Sequence, residues 1–107
     1  MKPLYFVGSS LNDLRGFTRS VRRESGYQLN RVQHGLDPSD WKPMNSVGAG
    51  AREIRIQHEG QYRVIYVTNI GNAVHVLHAF QKKTRKTRKH DLDVAKQRLR
   101  QIQEKQS

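Results

Sequence analysis

Lys82, Lys83, Arg85, Lys86, Arg88 and Lys89 place six cations within residues 82–90, directly after the apolar run Val76-Leu77-His78-Ala79-Phe80. An apolar strand that ends in ammonium and guanidinium groups is a rigid mount for phosphate. Each neutralised phosphate releases counterions, so such binding weakens as salt rises. The competing reading of this segment is a solvated loop before a helix. Arg63 is the second chemical signal. It lies between Tyr62 and Val64 in the most apolar stretch of the chain. Burying a guanidinium is costly unless it is paired or opens onto a cleft. Arg63 therefore either meets a carboxylate, with Glu53 on the neighbouring strand as partner, or points into a groove as a phosphate ligand. Arg52 and Arg55 add positive potential to the same region.

The five histidines, His34, His58, His75, His78 and His90, show no metal-ligand spacing. His75 and His78 lie three apart on a strand and are expected on opposite faces. His90 stands beside the cation run at a helix start and is the best placed to move a proton. Tyr62 and Tyr66 share a strand face, with Phe80 expected on the next strand. Aromatic rings beside cations form base-stacking platforms in RNA binders; the same rings also suit a core. No phosphate-cradling glycine loop, dinucleotide fingerprint or paired carboxylates occur. Acidic residues number only nine, few for a two-metal nuclease. The expectation is no metal site and no cofactor.

The 107 residues bound the chain to one domain, 1–107. The balance of 20 Lys and Arg against nine Asp and Glu gives a net charge of +11. That excess calls for a polyanionic partner: nucleic acid, an acidic membrane surface or an acidic protein. Absence of cysteine excludes disulfides and thiolate metal sites. Met1 to Gly8 holds no apolar stretch long enough for a signal peptide, and no run reaches membrane-spanning length. A soluble, cytoplasmic protein without a membrane partner is expected.

The elements that must position these residues follow from periodicity. Leu4 to Val7 reads as a first strand stopped by Gly8. Ser9 or Ser10 can cap a helix in which Leu11, Leu14, Phe17 and Val21 recur at helical spacing. Gly16 weakens that helix, and Gly26 is expected to break it or separate it from a second one. Leu29 and Val32 continue inward until Gly35 ends the element. Residues 36–51, with Pro38, Pro43, Gly48 and Gly50, read as a loop tacked to the core by Trp41. From Arg52 to Phe80 the period becomes two. Ile54 and Ile56 mark one strand, Tyr62 to Thr68 a central one and Ala73 to Phe80 a third, joined by turns at residues 58–60 and 69–72. A last helix runs from about Asp91 to Gln103 with Leu92, Ala95, Leu99 and Ile102 in one stripe. The fold class is α+β. A small, twisted, mostly antiparallel sheet, made of the N-terminal strand plus a three-strand meander, packs against N-terminal helices and a C-terminal helix.

Tyr62-Arg63-Val64-Ile65-Tyr66, Val76 to Thr84 with its Phe-x-Lys-Lys-Thr end, and Asp91 to Leu99 together resemble the HigB-like, phage-related branch of the RelE/ParE toxin superfamily of type II toxin–antitoxin systems. Residues 36–44 and Glu53-Ile54-Arg55 fit the same pattern. The resemblance implies a metal-independent, ribosome-dependent mRNA endoribonuclease in which a ribose 2′-OH attacks its own 3′ phosphate. It implies Arg63 as phosphate stabiliser, and Lys82 and Lys83 as clamp and acid. His90, with Tyr66 as substitute, is the candidate base. Arg52, Arg55, Arg85, Lys86, Arg88 and Lys89 would hold RNA phosphates. The partners implied are mRNA, the ribosome and a HigA-like helix-turn-helix antitoxin, through which DNA is contacted indirectly. Members that act on gyrase share this fold, so the alternative is the same fold without ribonuclease activity: a gyrase-directed toxin or an inactive nucleic-acid-binding member.

Overall fold

In the computed structural model, which describes residues 1–106, the period-two stretch forms three strands: β3 (Arg52–Gln57), β4 (Gln61–Ile70) and β5 (Ala73–Lys82). Before them come β1 (Leu4–Phe6), α1 (Ser10–Arg15), α2 (Arg19–Gln33) and β2 (Trp41–Pro43); α3 (Lys89–Gln106) follows. The five strands make one sheet in the order β1-β5-β4-β3-β2, so β4 is central as its apolar sequence requires. The meander is antiparallel, while β1 pairs parallel to β5. Gly71 and Asn72, with φ of 63° and 52°, form the two-residue turn between β4 and β5. Positive φ at both positions matches the right-handed twist of the strands they join.

Side-chain alternation divides the core in two. Leu14, Val21, Leu29 and Val32 of α1 and α2 pack on Ile54, Val64, Tyr66 and Val76. Ala95 and Leu99 of α3 pack on Ile65, Val67, Leu77 and Phe80 of the other face. The predicted stripe on the last helix is thus the stripe that packs. Because α3 lies over β5 and β4, the Arg55 and Lys82 end of that face stays partly open.

Three local expectations are corrected. The helix break falls at Gly16–Thr18, where Thr18 turns extended with ψ of 158°, and α2 runs straight through Gly26. Gly26 faces open space, so it weakens the helix without ending it. The expected loop contains β2, whose register pairs Trp41 with Ile54 and Lys42 with Glu53. Three residues, the last of them a proline, are too short to show a period. Trp41 is half-buried in this strand under the Arg52 guanidinium, 4.1 Å from its ring centre. Finally, Ile65 pairs with His78 while Tyr66 pairs with Val76, so Leu77 is an extra, bulged residue. The bulge resets the alternation. His75 opposes Val67 and His78 opposes Ile65, on one face rather than two.

Gly26→Ala tests the continuous helix. With no atom within 4 Å of the added methyl group, the variant should gain roughly 0.5–1 kcal/mol, read as a rise of several degrees in melting temperature. A lower melting temperature would restore the break at this residue.

Candidate nucleic-acid interface

Register builds the interface. Lys42 pairs with Glu53, Arg55 with Arg63, Arg63 with Phe80, and Gln61 with Lys82. Partners in an antiparallel ladder point to the same face. Lys42, Glu53, Arg55, Arg63 and Lys82 therefore share the face that α3 leaves partly open.

Arg63 lies at the bottom of this group. Its Nε is 3.3 Å from Glu53 Oε1, with the two side chains 4% and 1% exposed. Nη1 donates to the Tyr62 carbonyl at 2.9 Å and to Gln61 Oε1 at 3.4 Å. Arg55 Nε stands 4.0 Å from the same Glu53 oxygen. Of the two readings open for Arg63, the geometry is the ion pair, and no free guanidinium faces solvent. Burial lowers the Arg63 pKa, Glu53 pulls it back up and Arg55 pushes it down again. Neither Glu53 oxygen nor Arg63 Nε meets hydrogen-bonding geometry among the described residues, so the pair is held by charge more than by alignment.

At the Lys42 and Lys82 margin of this group is a cleft of about 460 Å³. Lys42, Lys82, Arg85 and Lys86 line it, together with Pro43 to Ser46 of the segment after β2, Thr87 and Leu92. Desolvation, then the nearby charge of Arg63, lowers the Lys82 pKa; Glu53 opposes the shift, and Lys42 and Arg55 reinforce it. Thr84 Oγ1 donates to the Lys86 carbonyl and folds the cation run back on itself. Four mutually repelling cations around one concavity favour an anion there.

Lys42 was missed by sequence reasoning. It is an isolated lysine in a segment read as loop, and only the pairing of β2 with β3 brings it to the cleft.

The remaining expected residues are dispersed. Lys83 and Arg88 are exposed on the loop and Lys89 on the first turn of α3, and none of the three lines the cleft. Arg52 faces the opposite side of the sheet, where it holds Asp37 at 2.9 Å and covers Trp41. Tyr66 is on that side too, 1% exposed. Its hydroxyl has no hydrogen-bond partner among the described residues, and burial raises its pKa more than Arg52 lowers it. His90 is exposed on the first turn of α3 and lines a different cavity. The stacking platform does not form. Tyr62 is buried edge-on against Phe17, with ring centres 4.9 Å apart, and Phe80 points to the other face, stacked on His78.

A family model described as Phage derived protein Gp49-like (DUF891) matches residues 12–100. The chain belongs to this family. The Gp49-like proteins are a family of RelE/ParE-like toxins, and membership is compatible with a toxin of a toxin–antitoxin system. A toxin family implies an antitoxin partner. The five-strand sheet with its helices is consistent with a small RelE-like toxin fold. No curated protein matches the chain significantly. Among the described residues, no helix is long and apolar enough to cross a membrane.

The Glu53–Arg63 pair makes a stability prediction for this Gp49-like chain. Removing one partner, as in Glu53→Ala, strands the other charge and should cost about 3–5 kcal/mol. The double variant Glu53→Leu with Arg63→Met should recover most of that loss. Denaturant midpoints of the single and double variants check both statements.

Proposed function

We propose that this Gp49-like protein is a HigB-like toxin: a metal-independent, ribosome-dependent mRNA endoribonuclease of the cytoplasm, paired with a HigA-like helix-turn-helix antitoxin that links it to operator DNA. The observation that carries the reading is the convergence of Lys42, Lys82, Arg85 and Lys86 on one cleft at the end of a rigid sheet. Cleavage by 2′-OH attack forms the O2′–P bond and breaks the P–O5′ bond. It needs a base to take the 2′ proton, an acid to protonate the leaving 5′ oxygen, and cations on the phosphate.

In this reading the four cleft cations clamp the phosphate. Lys82 is the acid, since a lowered pKa makes its ammonium a better proton donor. Arg63 acts from below, because its charge helps to lower the Lys82 pKa, and Glu53 fixes it there. Lys83, Arg88 and Lys89 steer the RNA along the loop, with Arg55 contributing at the open edge of the sheet. His90 is the base. Tyr66 is a poor one: burial keeps its hydroxyl protonated, and it lies on the far side of the sheet.

One observation favours the alternative, a family member without ribonuclease activity. The strand arginine that the resemblance makes a phosphate stabiliser is closed off, 3% exposed. Induced expression with primer extension on cellular mRNA separates the two. Codon-phased cuts are expected; growth arrest with DNA damage and intact mRNA would instead mark a gyrase-directed toxin.

Two further outcomes are specific to the cleft. Lys42→Ala with Lys82→Ala should flatten the log–log salt dependence of RNA binding by about 0.7 for each phosphate no longer neutralised, in a protein whose circular dichroism is unchanged. An unaltered slope would remove the cleft as the place where RNA docks. Single-turnover cleavage should also fall as pH rises through the Lys82 pKa, which lies below the ordinary lysine value, because the acid loses its proton there. In Lys82→Arg, whose guanidinium does not titrate in this range, that alkaline limb should be absent.

A further inference from the structure

The side of α2 turned away from the sheet is a second strongly charged surface. Val21, Ser25, Gln28, Leu29 and Val32 form the buried stripe of this helix. At about 3.6 residues per turn, the opposite ridge runs through Arg19, Arg23, Gly26 and Asn30, with Arg22 and Tyr27 on its flanks. All six residues are exposed. Arg15, at the end of α1, adds a further exposed guanidinium before the Gly16–Thr18 break. None of these four arginines enters an ion pair among the described residues. The only acid in α2, Glu24, accepts from Gln28 Nε2 at 3.4 Å.

Three costs are built into this ridge. Arg19 and Arg23 lie one turn apart and repel each other. Arg19 and Arg22 stand in a first turn that holds no acid, where the helix dipole disfavours cations. Gly26 weakens the helix, and nothing lies within 4 Å of the position its Cβ would take, so no neighbour's packing requires a glycine there. An anion laid along the ridge reverses the first two costs, and the bare backbone at Gly26 lets it approach closely.

The chemistry of the ridge selects the anion. A protein interface is anchored by a central cluster of apolar and aromatic side chains, and Tyr27 is the one large apolar side chain exposed on this helix. Guanidinium groups pair bidentately with phosphate. A single RNA strand is held by a groove and a row of stacking rings, whereas the ridge is convex and carries one ring. Double-stranded RNA is recognised by its backbone and shape, and the ridge presents its side chains in a line about 16 Å long from Arg19 to Asn30. α2 packs on the Ile54, Val64 and Tyr66 side of the sheet, while the basic cleft takes Leu92 of α3 into its wall on the other side. Ridge and cleft therefore face away from each other and contact separate stretches of RNA.

We propose that the outer ridge of α2 docks the phosphate backbone of an RNA duplex, so that the protein holds a duplex on one side of its sheet and the strand to be cut on the other. The second half of this statement rests on the ribonuclease reading of the cleft; the docking does not.

The test compares the wild-type protein with a ridge variant, Arg19→Gln, Arg22→Gln and Arg23→Gln together, and with the cleft variant Lys42→Ala and Lys82→Ala. The probes are a blunt RNA duplex and an unstructured U-rich hexaribonucleotide. Amide shifts on adding duplex to the wild type should fall on residues 15–31. The ridge variant should melt no lower than the wild type and bind the duplex about tenfold more weakly. Its salt slope should be shallower by up to about 0.9 for each arginine removed, and its hexamer binding should be unchanged. The cleft variant should show the reverse pattern. Gly26→Glu, which sets an anion on the ridge, should also weaken duplex binding in a helix that melts no lower. On programmed ribosomes the ridge variant should need about tenfold more protein for half-maximal cleavage and keep the rate at saturation. Undiminished duplex binding in the ridge variant, equal losses for duplex and hexamer, or shifts centred elsewhere overturn the proposal. So does polyglutamate that displaces the duplex at equal anion concentration, which would mark an acidic protein as the occupant. Ridge-dependent duplex binding in a protein that cuts no RNA upholds the docking surface and sinks the reading of the cleft.

Discussion

A carboxylate and a guanidinium face each other in the middle of the sheet, almost sealed from water, at a separation of 3.3 Å. Each charge is tolerable there only because of the other. Their strands must keep register, since a slip of one residue would turn one of the two to the opposite face. The same register fixes Lys42 beside Glu53 and Lys82 beside Gln61. One buried pair thus sets the geometry of the cations above it. In this account Arg63 tunes the site from beneath rather than taking the phosphate itself.

The wider electrostatics follow from how few anions the chain has. Glu53 is spent on Arg63, Asp37 on Arg52, and Asp13 and Asp91 on His78 and Arg98. The cleft cations Lys42, Lys82, Arg85 and Lys86 appear in no ion pair among the described residues. A net charge of +11 destabilises the compact state by self-repulsion, and an anionic partner relieves it. α3 contributes by what it leaves bare: its apolar stripe packs on Ile65, Val67 and Leu77, while Arg55 and Lys82 stay partly exposed.

Much of this was readable in the sequence, for identifiable reasons. The change from helical spacing to period two at Arg52 marked the meander, because long strands repeat often enough to show their period. The Glu53 partner for Arg63 was readable because a cation in so apolar a strand demands an anion nearby. Short or irregular features were not readable. β2 has three residues, too few for a pattern, and with it Lys42 dropped out of the expected site. The Leu77 bulge leaves no compositional mark, yet it decides which face His78 takes. Gly26 illustrates a propensity overridden by context: Val21, Ser25, Gln28, Leu29 and Val32 bury one side of α2 strongly enough to carry the helix through a glycine. Tyr62 and Tyr66 were equally compatible with core and with stacking, and only packing against Phe17 and α2 settled them as core.

The central claim is that this basic cleft breaks RNA by attack of a 2′-hydroxyl on the neighbouring phosphate. The chemical ends of the cut RNA test it most directly. Mapping of transcripts cleaved by the purified protein on programmed ribosomes should give 5′-hydroxyl ends opposite 2′,3′-cyclic or 3′ phosphates, and cutting should be lost in Lys42→Ala with Lys82→Ala. Fragments ending in 5′ phosphates and 3′ hydroxyls, or cutting that survives the double substitution, would contradict the account.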